Sequence, residues 1–226
     1  MRKKRFDLVL FDLDGTLTDT IMSIAISANA TLEDYNKAPM AVDEFPAIIG
    51  NGAARLVKDF MTLAFEEPPS AELFAEAFAR YRDHFEKYCT EGVRAFPGIV
   101  SLLTDMRSAG TTIGILSNKP HPETVKVAEE IFPGMFHVVR GQIDDGPRKP
   151  DPELIYEQRE AYGVPKERAC MVGDGDTDVL VGQRAGVTTI AVGWGYRHPD
   201  VLKELSPDFY AGDVPTLRRL LLEESP

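Results

Sequence analysis

Short apolar runs alternate with helical patterns along most of this chain. Phe6-Asp7-Leu8-Val9-Leu10-Phe11 is almost continuously apolar, the pattern of a strand buried on both faces of a parallel sheet. Similar runs at 112–116, 169–172 and 188–192, with a weaker one at 136–139, predict four further strands. Helical patterns lie between them. One over 98–108 is opened by Pro97-Gly98 and closed by Gly110; others fall near 121–132, 151–162 and 176–185, the last ended by Gly186. Residues 20–91 break the alternation and contain no convincing strand. There Ile21, Ile24, Ala28, Leu32 and Tyr35 mark one amphipathic helix. Leu56, Val57, Phe60 and Leu63 mark a second, and Phe74, Ala77, Phe78, Tyr81, Phe85 and Tyr88 a third.

Strands alternating with helices predict an α/β fold: a doubly wound, mainly parallel, Rossmann-like sheet between two layers of helices. The core is expected over 1–19 and 92–226, with an all-helical cap inserted at 20–91.

Composition narrows the function classes. The chain has 226 residues, 43% apolar and 27% charged, which fits a folded core rather than disorder. No stretch reaches the roughly 18 apolar residues of a membrane helix. The basic start, Met1 to Arg5, resembles a signal-peptide n-region, but no cleavage site follows and the next residues read as a strand, so the cytoplasm is the expected location. Cys89 and Cys170 read as buried thiols in a reducing compartment. The net charge of −11 argues against nucleic acid as a partner. The acidity is spread out: residues 20–91 hold 6 basic against 12 acidic groups, and 92–226 hold 15 against 20. Monomer and homodimer both remain open.

Ligands of open α/β sheets gather where strands end. The predicted strand ends deliver Asp12-Leu13-Asp14-Gly15-Thr16, Ser117-Asn118 and Gly173-Asp174-Gly175-Asp176-Thr177-Asp178, while Lys149-Pro150-Asp151-Pro152 opens a helix. Several carboxylates brought close cannot all stay ionised unless a cation joins them. Oxygen ligands suit a hard ion such as Mg²⁺, and the four scattered histidines offer no zinc spacing. Asp12, already ionised at neutral pH, is placed to attack phosphorus, and Asp14 to protonate the leaving oxygen and then deprotonate water. Lys149, Ser117 and backbone N–H groups would hold phosphate oxygens. Such a set supplies the positioning and neutralisation that phosphoryl transfer needs.

Taken in order, these four motifs resemble the haloacid dehalogenase superfamily in its phosphatase branch, over essentially the whole chain. The resemblance implies that Asp12 forms an aspartyl-phosphate and that Asp14 is the acid/base. It implies Mg²⁺ held by Asp12, the main-chain carbonyl of Asp14 and Asp174, with Asp178 supporting the metal or Lys149. Ser117, Asn118 and Lys149, with Leu13 and Thr16, are the implied phosphate-binding set. The stretches Ile49-Gly50-Asn51-Gly52-Ala53, Phe96-Pro97-Gly98, Asn118-Lys119-Pro120 and Gly195-Tyr196 look like bacterial phosphoglycolate phosphatases, a weaker match than the four core motifs. Gly50, Asn51 and Gly52, opening a helix, offer N–H groups for a second anion, and Arg55 would add charge.

The expected activity is therefore Mg²⁺-dependent hydrolysis of a small phosphorylated metabolite, 2-phosphoglycolate foremost. A phosphomutase, a pyrophosphatase and a nucleotide or sugar phosphatase share the core motifs. A metabolite-binding regulatory module on the same fold is the non-enzymatic alternative, although a pure binder has no use for Asp14. Gly175-Asp176 departs from relatives that carry a small hydroxyl residue there. Asp176 reads as helix N-terminal charge, and Asp19-Thr20 as hinge and N-cap. Trp194, Tyr196, Arg197 and His198 follow the last predicted strand, where site mouth and loop packing are equally open readings.

Overall fold

A computed structural model describes residues 4–50, 52–143 and 146–222. The chain runs β1 (Leu8–Phe11), β2 (Thr18–Asp19), α1 (Ile21–Asp34), α2 (Ala53–Phe65), α3 (Ala71–Tyr88), β3 (Arg94–Ala95) and α4 (Ile99–Ser108). It continues through β4 (Thr112–Pro120), α5 (His121–Ile131), β5 (Val138–Gln142), α6 (Glu153–Ala161) and β6 (Ala169–Gly173). The last elements are α7 (Asp176–Ala185), β7 (Thr188–Val192), α8 (Pro199–Glu204), β8 (Phe209–Ala211) and α9 (Val214–Leu222).

Six strands form one sheet in the order β5-β4-β1-β6-β7-β8, and every pairing in it is parallel. β1 lies inside, between β4 and β6, which is why all four of its residues are buried and apolar. Successive side chains take opposite faces. Val9 and Phe11 join Ile113, Ile115, Val172 and Ile190 in a cluster with residues of α4, α5 and α9. Leu8 and Leu10 join Met171 in a cluster with residues of α6 and α7. The three-layer expectation holds on these contacts.

The differences lie at the edges. β5 is centred on Val138–Gln142 rather than 136–139, and its Arg140 and Gln142 are tolerated because it is an edge strand. β8 closes the opposite edge, and its three residues carry no period of their own. β4 runs on through Ser117-Asn118-Lys119 to Pro120, with a break in register between Leu116 and Pro120.

The insert leaves and rejoins the core through neighbouring chains. β2 and β3 pair antiparallel, Thr18 with Ala95 and Asp19 with Arg94. Between them, α1, α2, α3 and a short 3-10 helix (Val42–Ala47) share a separate apolar cluster built on Leu32, Phe45, Phe60, Tyr81 and Phe85. Asn29 ties the segment after α1 back to the helix, since its side chain donates to the Met40 carbonyl and accepts the Met40 N–H, each at 2.9 Å. Thr20 occupies the N-cap position of α1, but its side chain makes no capping bond, contrary to the expected role. Asp19 Oδ1 instead accepts the Ile21 N–H at 3.3 Å.

Phe11 is fully buried between the central strands and the α4 layer. Phe11→Ala is expected to cost about 3–5 kcal/mol in chemical denaturation; a loss below about 1 kcal/mol would contradict this packing.

Candidate active site

Strand register brings the site together. Phe11, the last residue of β1, pairs with Ile115 of β4 and Val172 of β6. Asp12 and Asp174 therefore emerge side by side just past β1 and β6, with Ser117 in the carboxyl half of β4 beside them. The Asp12 N–H still donates to the Val172 carbonyl at 2.9 Å, which carries the ladder one residue beyond the strand. The chain then turns at Gly15. Its φ is +86°, and a Cβ there would run into the Asp174 carboxylate, so only glycine fits both demands.

Lys149 is 2% exposed, and its ammonium stands 2.8 Å from Asp12 Oδ1 and 2.6 Å from Asp178 Oδ1. Burial opposes the charge, but the two carboxylates outweigh it and hold this lysine above its usual pKa. Asp178 Oδ2 accepts the Gly175 N–H at 2.9 Å. Asp174 accepts Thr16 Oγ1–H at 2.7 Å and the Tyr196 N–H at 2.8 Å, one on each oxygen. Burial, together with the charge of Asp12 and Asp178, pushes the Asp174 carboxyl well above the carboxylate range. Burial raises Asp178 too, with Lys149 pulling it down and Asp12 pushing it up.

One oxygen from each of Asp12, Asp174 and Asp178 lies within 4.8 Å of the others. Lys149 pairs with Asp12 and Asp178, so three carboxyls lie beside one ammonium, and ionising all of them in a buried place is costly. An all-oxygen donor set of this spacing fits Mg²⁺. A narrow cleft of about 20 Å³ borders the three carboxylates and reaches Pro46, Tyr196 and Arg197.

Asp14 borders both this cleft and a second cavity. Its carboxylate meets the Lys119 ammonium at 3.0 and 3.3 Å, and Lys119 Nζ also lies 4.6 Å from the centroid of the Phe85 ring on α3. The second cavity, of about 60 Å³, lies on the Lys119 side. Asp12, Asp14, Ser117 and Lys119 line it from the core, and Gly50, Gly52, Leu56, Tyr81 and Phe85 from the inserted helices.

Several residues singled out from sequence take other parts. The Asn118 side chain spends both ends on the main chain of Lys149: its amide donates to the carbonyl at 3.1 Å and its oxygen accepts the N–H at 2.9 Å. It positions that lysine with one amide N–H and its oxygen, and Asn118 also lines the cavity. Thr16 likewise gives its hydroxyl to Asp174, and the Leu13 N–H goes to Asp12 Oδ1 at 2.7 Å, so neither is a free phosphate ligand. Ser117 Oγ accepts the Lys119 N–H at 3.2 Å, which leaves its own hydrogen available to a ligand. Arg55 is exposed and paired with Asp59 one turn on at 2.7 Å, and it does not line the cavity. Gly50 and Gly52 do line it, while Asn51 lies outside the described residues.

In the loop after β7, Tyr196 and Arg197 border the cleft, Trp194 packs against the core cluster and His198 caps α8. Trp194 Nε1–H donates to the Thr16 carbonyl at 3.1 Å. The Tyr196 hydroxyl accepts the Thr20 N–H at 2.8 Å and donates to Asp19 at 3.1 Å, and Arg197 pairs with Asp176 at 2.9 Å. Lys119 was read from sequence only within the Asn118-Lys119-Pro120 stretch, and Tyr196 as a residue of either the site mouth or loop packing. The available signal for Lys119 was its place directly behind Ser117-Asn118 at a strand end.

Fold and site together define a capped α/β protein with clustered aspartates at the ends of its central strands. The chain belongs to the haloacid dehalogenase-like hydrolase family, whose model matches residues 9–192. A phosphoglycolate phosphatase of Agrobacterium fabrum is 31% identical over 218 residues, covering 96% of this chain and 93% of that protein. An N-acetylmuramic acid 6-phosphate phosphatase of Pseudomonas aeruginosa is 30% identical over 219 residues, covering 95% and 92%. The crystal structure of a candidate phosphoglycolate phosphatase from Lactobacillus delbrueckii superposes with a TM-score of 0.89 at 24% identity, covering 99% of this chain and 100% of that one. Among the described residues, no helix is long and apolar enough to cross a membrane.

The raised carboxyls give a signed pH dependence. Folded Asp174 and Asp178 retain protons that the unfolded chain loses near pH ~3.9. Metal-free stability from this cluster is thus present below that pH and is lost as pH rises through the raised values. Mg²⁺ must displace those protons, so its binding strengthens as pH rises. In thermal melts at fixed Mg²⁺, the Mg²⁺-induced gain in Tm is expected to grow across this window; a flat or shrinking gain contradicts the assignment.

Proposed function

We propose that this phosphatase hydrolyses a small phosphate monoester by way of a phosphorylated Asp12, with Mg²⁺ as cofactor and 2-phosphoglycolate as substrate. The observation that carries this reading is the Lys149 ammonium clamped between Asp12 and Asp178, with Asp174 in the same cluster. The two donors to Asp12, Lys149 and the Leu13 N–H, both fall on Oδ1, which leaves Oδ2 to attack phosphorus. Bound Mg²⁺ supplies charge neutralisation at the carboxylates and the transferring phosphate. Ser117 turns its free hydroxyl hydrogen to a phosphate oxygen. Asp14, on the cavity side of the same turn, serves the leaving oxygen and then the attacking water. Tyr81 and Phe85 of the cap wall off bulk water from the reacting atoms.

Cavity size supports a short substrate. On a scale where one water needs roughly 10–15 Å³, a space of about 60 Å³ suits a tail of a few heavy atoms. Relatives named phosphoglycolate phosphatase, at 31% and 33% identity, point the same way. A second reading, a sugar phosphate, is favoured by the Pseudomonas aeruginosa relative and would require the cap to stand further open than it does here.

A kcat/KM panel over phosphorylated metabolites separates these readings. The expected result is a preference for 2-phosphoglycolate over N-acetylmuramic acid 6-phosphate of at least about tenfold. The reverse ranking selects the second reading. Asp12→Asn is expected to lower turnover by roughly 10³-fold or more, and substantial residual activity would mean that another group attacks phosphorus.

A further inference from the structure

Lys119 is the only cation among the described residues that line the cavity between Asp14 and the cap. It is 5% exposed, and an ammonium is costly to bury without partners. Asp14 provides one partner and the Phe85 ring face another. An ammonium has three N–H donors. Asp14 offers two oxygens, so one donor has no acceptor among the described residues. The neighbouring walls from the cap are apolar: Ile24, Ile49, Leu56 and Phe85. The part of a substrate that lies away from its phosphate therefore meets a greasy surface with one under-used positive charge.

We propose that Lys119 is a specificity-determining residue that reads a carboxylate carried one or two carbons from the substrate's phosphate. The inference rests on the phosphatase reading above and assigns its selectivity to a named side chain. A carboxylate fits better than a larger anion because the space beside Lys119 is small. The substrate carboxylate takes the spare N–H, so Lys119 joins the two ends of the reaction: the anion that identifies the substrate and the Asp14 that serves its leaving oxygen. Lys149 cannot do this, being held between Asp12 and Asp178 on the other side of the site.

The test compares 2-phosphoglycolate with 2-hydroxyethyl phosphate, in which an uncharged CH₂OH replaces the carboxylate. The wild type with Mg²⁺ is expected to favour the carboxylate ester by at least about tenfold in kcat/KM. Lys119→Met keeps the length of the stem and removes the charge. It is expected to lower that preference by about 30-fold, mainly by raising KM for the carboxylate ester, and Lys119→Arg is expected to restore part of it. A purely structural role for Lys119 lowers both esters alike, so an unchanged ratio in Lys119→Met, or in Lys119→Gln should the first variant not fold, overturns the proposal. A wild type that hydrolyses both esters without preference overturns it and leaves the phosphatase reading standing. A wild type that hydrolyses neither overturns both.

Discussion

The Lys149 ammonium stands 2.8 Å from Asp12 and 2.6 Å from Asp178 in a place water barely reaches. This buried pairing is the constraint on which the rest of the site depends. Removing either sign of charge would strand the other in a low-dielectric interior. The surrounding structure is arranged to hold it: Asn118 clasps the Lys149 main chain from both ends, and Gly175 supplies an N–H to Asp178. Asp174 is the unbalanced member, and the hydroxyl of Thr16 and the N–H of Tyr196 fix its two oxygens toward the cluster. The cluster is thus preorganised for a cation and a phosphate, with little reorganisation left for the moment of reaction.

The cap reaches the same cluster through a short chain of contacts. Tyr196 gives its backbone N–H to Asp174, while its hydroxyl donates to Asp19 and accepts the Thr20 N–H, where the chain enters the inserted helices. β2 and β3 hold the two connections of the insert side by side. The cap's own aromatic residues then serve twice. Tyr81 and Phe85 are buried members of its apolar cluster and also form part of the cavity wall. This also eases the conflict between a chain of net charge −11 and an anionic substrate. Long-range charge disfavours large polyanions, while on the proposed function a small ester would be met inside by Lys119 and Lys149 and by a bound divalent cation.

The central strands were legible because burial on both faces leaves a continuous apolar run, as in β1. β5 and β8 were less so, since edge strands are half-buried and their polar residues erase the period. The two-residue β2–β3 ribbon is too short to have a period at all. Within the site, the aspartates and Lys149 stand out by spacing alone. Lys119 does not, because nothing local marks a lysine in β4 as buried. Its burial depends on Phe85, which comes from a helix far away in sequence. Arg55 was misplaced for a helical reason: on α2, Leu56 and Val57 turn inward, and residue 55 falls on the outer face beside Asp59. The side chains of Thr16 and Asn118 bond to Asp174 and to the Lys149 main chain, tertiary contacts that leave no local mark, while the Leu13 N–H bonds to its sequence neighbour Asp12.

The central claim is that Asp12 itself carries the phosphoryl group between the two half-reactions. The most direct test is rapid acid quench of enzyme turning over substrate with Mg²⁺, followed by peptide mass spectrometry. The account predicts a mass gain of one phosphoryl group on the peptide containing Asp12, appearing within the first turnover and removed by treatment that cleaves acyl phosphates. Phosphate release with no labelled peptide at any quench time, or label confined to a different residue, would contradict it.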